Sequence, residues 1–290
     1  MRFHVSSHLE YTVKFPSTMI FNIHAQRNPA QTILEERFSV EPYVKVEEFL
    51  SENGENRFVR LETGESKQLV IDYAAVVDCE FEAVPAGVID HTPVAKMDRN
   101  TIPYLFPSRY CQSDKLGRLA WDLFGKIPNA YEKVIAIVDW IHGNVEYLRG
   151  STDSETSAYD TVVQRTGVCR DFAHLGIALC RSLNIPSRYF SGYAYLLDPP
   201  DFHACFESFV GGHWMVFDAT RLAPLNGLVR IGTGSDAASA AVASIFGQVQ
   251  GTAMKVDCQL VAGQDFTPLS REQQSHTGIS PGAAHVATAD

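Results

Sequence analysis

The run Gly167-Val168-Cys169-Arg170-Asp171-Phe172-Ala173-His174-Leu175, continuing in a helical pattern to about Asn184, constrains this chain more than any other stretch. Phe172, Leu175, Gly176, Leu179 and Leu183 recur at three- and four-residue intervals, so one apolar stripe has to face a core. Asn184-Ile185-Pro186 ends the helix, because proline cannot continue it. Gly167 is expected to permit a sharp entry turn, which places Cys169 in the first turn among backbone N–H groups that lack intrahelical partners. The partial positive charge there eases loss of a thiol proton. On this stretch alone, a small buried hydrophobe fits Cys169 equally well.

The strands that follow decide between the two. Residues 187–197 and 202–210 read as strands, and Gly211-Gly212 separates the second from residues 213–220, which predicts a hairpin with a two-residue turn. If Val210 pairs with His213, counting back sets Cys205 opposite Asp218 and His203 opposite Thr220. His203 and Asp218 then lie on one face as diagonal neighbours, with Cα atoms roughly 7–8 Å apart, close enough for an imidazole to meet a carboxylate. A four-residue loop keeps this register and a three-residue loop breaks it. A thiolate nucleophile, an imidazole that carries protons and a carboxylate that orients it are the parts of acyl-transfer catalysis, and Cys169, His203 and Asp218 supply them in that order.

The rest of the chain sets the frame. Alternating segments at residues 9–15, 37–40 and 57–61, with a longer apolar run at 68–77, predict an all-β, sandwich-like domain over residues 1–105. Proline and glycine punctuate residues 84–110, which read as a linker. Asn129 with Glu132, and Ser157 with Asp160, open two helices ahead of the cysteine helix, so a catalytic domain is expected over residues 106–262. Residues 236–246 are read as a helix and 252–261 as a last strand. Residues 263–290 read as a loosely ordered tail.

Charge and cysteine usage exclude several classes. With a net charge of -10 and no basic run, nucleic acid is not an expected partner. No stretch approaches the ~20 apolar residues of a membrane span and the first residues lack a signal-peptide core, so a cytoplasmic protein without a membrane partner is expected. Six cysteines without a CxxC indicate reduced thiols, neither a disulfide framework nor a zinc ribbon. No metal or other cofactor is expected, since His174 near Cys169 lacks further ligands and Glu80 and Glu82 suit a solvated strand face. Gly232-Thr233-Gly234 has no nucleotide-loop spacing. Asp171 reads as a helix-start carboxylate, Glu207 as a hydrogen-bonding group within the hairpin, and Trp214 with Phe209 as a cross-strand pair. Gln164, five residues before Cys169, is a candidate for the second oxyanion donor.

Taken together, the Gly167-Val168-Cys169-Arg170-Asp171-Phe172-Ala173 helix start, Asn184 to Arg188 leading to Ser191-Gly192-Tyr193, His203 to Glu207, and Trp214 to Thr220 resemble the transglutaminase-like superfamily over residues 110–230. The first hundred residues resemble the N-terminal domain of bacterial members described as cysteine proteases. The resemblance implies an α+β protein whose papain-like core packs a helix-borne Cys169 on an antiparallel sheet carrying His203 and Asp218. It implies thioester chemistry on peptide or protein amides. Three outcomes stay open: a cysteine protease or amide hydrolase, a transglutaminase that passes the acyl group to an amine, and a binding module with an idle fold. No calcium loop is expected, and the oligomeric state is not legible.

Overall fold

The computed structural model describes residues 1–89 and 91–281. The chain begins with β1 (Arg2–Val13), β2 (Thr18–Phe21), β3 (Gln31–Glu41), β4 (Val46–Leu50), β5 (Arg57–Glu62), β6 (Gln68–Cys79) and β7 (Glu82–Pro85). Their side chains alternate inward and outward as a half-buried strand requires: Phe3, Val5, Ser7 and Leu9 of β1 are buried while their neighbours are less so. After a stretch holding only short 3-10 turns come α1 (Ser113–Phe124), α2 (Ala130–Asn144), β8 (Glu146–Tyr147), α3 (Ala158–Gln164), β9 (Thr166–Gly167) and α4 (Cys169–Ser182). Asn129 caps α2 by accepting from the Glu132 N–H, and Ser157 with Asp160 forms a capping box on α3, as the sequence spacing predicts. Asn184, at φ 60°, turns the chain out beyond α4.

The catalytic-half sheet holds β10 (Ser187–Ala194), β11 (His203–Val210), β12 (His213–Phe217) and β13 (Leu228–Gly234) in the order β12-β11-β10-β13, all antiparallel. Every residue of β10 and β11 is buried, because the sheet is covered on both faces. One face packs on α4: Phe172, Leu175 and Leu179 share a core with Ala204, Phe206 and Val210. Gly176 lets the helix close on Phe206, whose ring would lie 2.5 Å from a Cβ at that position. The other face meets the β domain, where Tyr193, Val229 and Ile231 join a core with Phe3, Phe21 and Ile71. The Tyr193 hydroxyl donates to the Ile23 carbonyl at 2.8 Å, and Asn56 brackets Thr233 through both its amide atoms. Full burial of each such aromatic contributes about 1.5–3 kcal/mol, so the β domain is part of the support of the sheet.

The chain then returns. α5 (Ala237–Ala240) is one turn, followed by β14 (Ala243–Phe246) and β15 (Val249–Leu260), then α6 (Arg271–His276) and β16 (Thr277–Ser280). Two sheets form the β domain, β15-β1-β6-β3 and β14-β2-β5-β4. This corrects the expected division at residue 262: β14 pairs with β2 and β15 with β1, so residues 243–260 complete the first domain. Local spacing could not reveal partners more than two hundred residues away. The helix expected at 236–246 stops after Ala240. The Val242 carbonyl accepts from the Asn22 N–H and starts a strand, tertiary pairing overriding the helix propensity of the alanines. The expected loose tail is also corrected in part. Ile279 of β16 is buried and β16 pairs with β7, while residues 282–290 lie outside the described residues.

Candidate active site

Cys169 is the first residue of α4 and is half-buried at the surface of the helix–sheet layer. The helix start is held by Asp171, which is fully buried. Its Oδ2 accepts from the Val168 N–H at 2.9 Å and from the Thr152 hydroxyl at 2.7 Å, and Oδ1 accepts from Arg170. Asp171 is thus a helix-start carboxylate as expected, and it also ties down the 148–156 loop. Gly167 serves differently from expectation. It keeps a negative φ, and a Cβ there would lie 2.8 Å from the Asp171 Cβ, so glycine makes room for the cap.

The hairpin has the predicted register. Gly211 and Gly212 lie at φ 60° and 83°, a turn open to few other residues, and Val210 pairs with His213 through to Phe206 with Phe217. His203 Nε2 is 2.9 Å from Asp218 Oδ2. The other Asp218 oxygen accepts from the Thr220 backbone N–H at 2.8 Å and its hydroxyl at 2.7 Å, so both carboxylate oxygens are held. Burial penalises a charged His203, but the neighbouring Cys205 and Asp218, with hydrogen bonding to Asp218 and Cys169, hold it well above its ordinary value. Burial likewise opposes the Asp218 charge, and His203 and Thr220 outweigh it, lowering this carboxyl below its usual range. The three residues singled out from the sequence therefore come together. Cys169 and His203 line a shared cleft of about 710 Å³, and they also line a second of about 290 Å³.

Cys169 stands apart among the thiols. Burial pushes Cys79, Cys111 and Cys205 up to about 12 and Cys180 up to about 11, and raises Cys258 further, which makes them inert at neutral pH. Cys205 faces the site: its Sγ, a His203 ring nitrogen and an Asp218 oxygen lie within 4.8 Å of one another. These donors could converge on a cation, yet the nitrogen and oxygen already share a hydrogen bond and Cys205 holds its proton at neutral pH.

Other candidates fall away from the chemistry. Gln164 is exposed at the end of α3 and lines neither cleft. His174 is buried, stacked on Tyr110 with centroids 5.0 Å apart, and its Nε2 accepts from the Ala237 N–H at 3.1 Å. Burial lowers it to about 3, so it is a neutral post between α4 and the cleft wall. Glu207 does not bond within the hairpin as expected. It is fully buried and pairs with Arg188 at 2.6 Å and with Arg230, with Glu55 of the β domain on the far side of Arg188. Trp214 meets Phe209 edge to face across the hairpin, ring centroids 5.4 Å apart, the cross-strand pair expected. Sequence reasoning missed Tyr147. The pairing of β8 with β9 sets Tyr147 against Gly167 and brings it into the smaller cleft beside Cys169. Burial and then the neighbouring Cys169 raise its phenol, so it keeps a proton to donate. A two-residue parallel bridge leaves no sequence signal.

The same two-part organisation recurs in known proteins. Residues 1–100 match the family described as bacterial transglutaminase, N-terminal domain, and residues 118–219 match the transglutaminase-like superfamily core. The crystal structure of "a Putative Cysteine Protease from Cytophaga hutchinsonii" superposes with a TM-score of 0.94 at 54% identity, over 97% of each chain. An uncharacterized protein of Mycobacterium leprae is 24% identical over 240 residues, covering 78% of this chain and 86% of that one. Another from Mycobacterium tuberculosis is 40% identical over 60 residues, 21% of this chain and 19% of that one. Fold, register and near-complete coverage of the Cytophaga protein agree: this chain belongs to the transglutaminase-like superfamily.

Proposed function

We propose that the protein is a thiol-dependent amide hydrolase that cleaves peptide or protein substrates through a thioester on Cys169. The observation that carries this reading is the contact of His203 Nε2 with Asp218, which leaves Nδ1 as the ring nitrogen for the cysteine. The Cys169 thiolate attacks the amide carbonyl. The tetrahedral oxyanion takes donors from the Cys169 backbone N–H at the helix start and from the Tyr147 hydroxyl. His203, as imidazolium, gives its proton to the leaving amine as the C–N bond breaks and the thioester forms. Water then attacks the thioester while His203 takes its proton, which releases the carboxylic acid and the thiolate. Asp218 fixes the ring orientation and stabilises its positive charge. Two clefts meeting at Cys169 suit an acyl side and a leaving-group side.

A second reading, amine transfer, has its own support. Asp198 and Asp201 line the smaller cleft together with Arg149, and their carboxylates would draw in an amine that attacks the thioester once it has lost its proton. Six free thiols, five of them buried, fit a reducing, cytoplasmic setting, and no helix among the described residues is long and apolar enough to cross a membrane. Incubating casein with the protein and a biotinylated primary amine separates the readings. New N-termini support hydrolysis, and biotin incorporation supports transfer. Neither product from the wild type, with both controls working, assigns the chain to the non-catalytic class.

A further inference from the structure

The larger cleft has an unusual wall. β14 is an edge strand, paired on one side only, Ala243 to Phe21 through Phe246 to Thr18. All four of its residues line the cleft that holds Cys169 and His203. Three of its four side chains are apolar, Ser244 being uncharged, and two are open: Phe246 is 63% exposed and Ile245 is 38% exposed. Edge strands are normally protected from stray pairing by charge. The opposite edge of the same sheet, β4, obeys with exposed Glu47 and Glu48, whereas no Asp, Glu, Lys or Arg occurs between Asp236 and Lys255. An uncharged, solvent-facing edge beside a nucleophile is suited to receive another strand.

The same cleft supplies charge. Arg109 and Arg170 line the cleft and, among the described residues, no carboxylate does, in a chain of net charge -10. Arg170 is engaged by Asp171 and by the Asp153 carbonyl. Arg109 is exposed, its guanidinium 4.9 Å from the centre of the Tyr110 ring. We infer that β14 is the substrate rail. An extended peptide adds to this edge by backbone hydrogen bonds, sets an apolar side chain on Ile245 and Phe246, and turns an acidic side chain toward Arg109. The substrate class is an extended, acidic-apolar peptide, an inference that rests on the thiol-hydrolase reading. It also gives the returning segment of the β domain a task at the site.

The test uses covalent capture in the full-length protein. Cys169 is labelled with iodoacetamide, which has no peptide backbone, and with acetylated tetrapeptidyl chloromethyl ketones bearing phenylalanine with either glutamate or lysine, and their backbone N-methylated forms. The rate ratio of peptidyl reagent to iodoacetamide is read by mass spectrometry. Each interrupted backbone pairing is expected to lower that ratio by about tenfold. Phe246→Asp is expected to lower it for every peptide, and Arg109→Glu to reverse the preference from glutamate to lysine. Equal capture of methylated and unmethylated peptides, or ratios unmoved by Phe246→Asp, overturns the inference while selective iodoacetamide labelling of Cys169 leaves the catalytic reading standing. Equal iodoacetamide labelling of Cys180 and Cys205 overturns both.

Discussion

His203 meets Asp218 through Nε2, 2.9 Å from Oδ2, while Thr220 holds the other carboxylate oxygen from both its N–H and its hydroxyl. The carboxylate cannot rotate without losing three hydrogen bonds, so the ring is fixed through Nε2. Replacing Asp218 by Asn keeps the shape but removes the charge that supports the imidazolium. Activity is expected to fall about 10²–10⁴-fold, with the basic limb of the kcat/KM profile moving to lower pH, measured on a fluorogenic amide.

The same pair couples stability to pH. His203 is held above its unfolded value, so its contribution is complete below about pH 6.5 and is lost as pH rises through the raised folded value. Asp218 is held below its unfolded value, so its contribution is present above about pH 3.9 and is lost as pH falls through the lowered folded value. Urea denaturation of wild type and His203→Ala from pH 5 to 9 is expected to show the largest stability difference at the acidic end of that range, shrinking as pH rises. A difference that grows with pH has the wrong sign.

Tyr147 tests the oxyanion site. Tyr147→Phe removes one donor and little volume, and kcat is expected to fall about 10²–10³-fold with KM and the urea midpoint nearly unchanged. A change confined to KM would move Tyr147 from the oxyanion to ground-state binding.

Much of this site is legible in the sequence, and for a definite reason. The apolar stripe of α4 and the Gly211-Gly212 turn are local signals, and strand alternation has a period of two, so fixing one pair fixed the faces of His203 and Asp218. What escaped depends on distant pairing. The return of β14 and β15 to the first domain, the Tyr147 contact through β8 and β9, and the Glu207 network each join segments whose sequences do not announce a partner. The alanines at 237–243 favour a helix locally, and only the edge of β2 explains why they leave it.

Helix–sheet contact is tested at Gly176. Alanine gains about 1 kcal/mol of helix propensity, but its methyl would lie 2.5 Å from the buried Phe206 ring, and overpacking costs about 1–3 kcal/mol. Net destabilisation of about 1 kcal/mol is expected in urea titration. Because Phe206 shares β11 with His203, activity should fall as well.

Glu207 bridges Arg188 and Arg230 inside the molecule, and Glu55 supplies Arg188 with a second carboxylate. Glu207→Gln leaves two buried guanidinium groups short of charge, and a loss of about 3–5 kcal/mol is expected by urea denaturation. A loss within error of zero would show that the surroundings already satisfy both arginines.

The most direct measurement is iodoacetamide labelling from pH 5 to 9, with each cysteine followed by peptide mass spectrometry. Burial silences Cys79, Cys111, Cys180, Cys205 and Cys258, and His203 carries the charge that supports a thiolate at Cys169. Selective labelling of Cys169 well below pH 8, lost in His203→Ala, is the expected result. Labelling of Cys180 or Cys205 at the same rate, or a Cys169 rate indifferent to His203, would contradict a catalytic thiol.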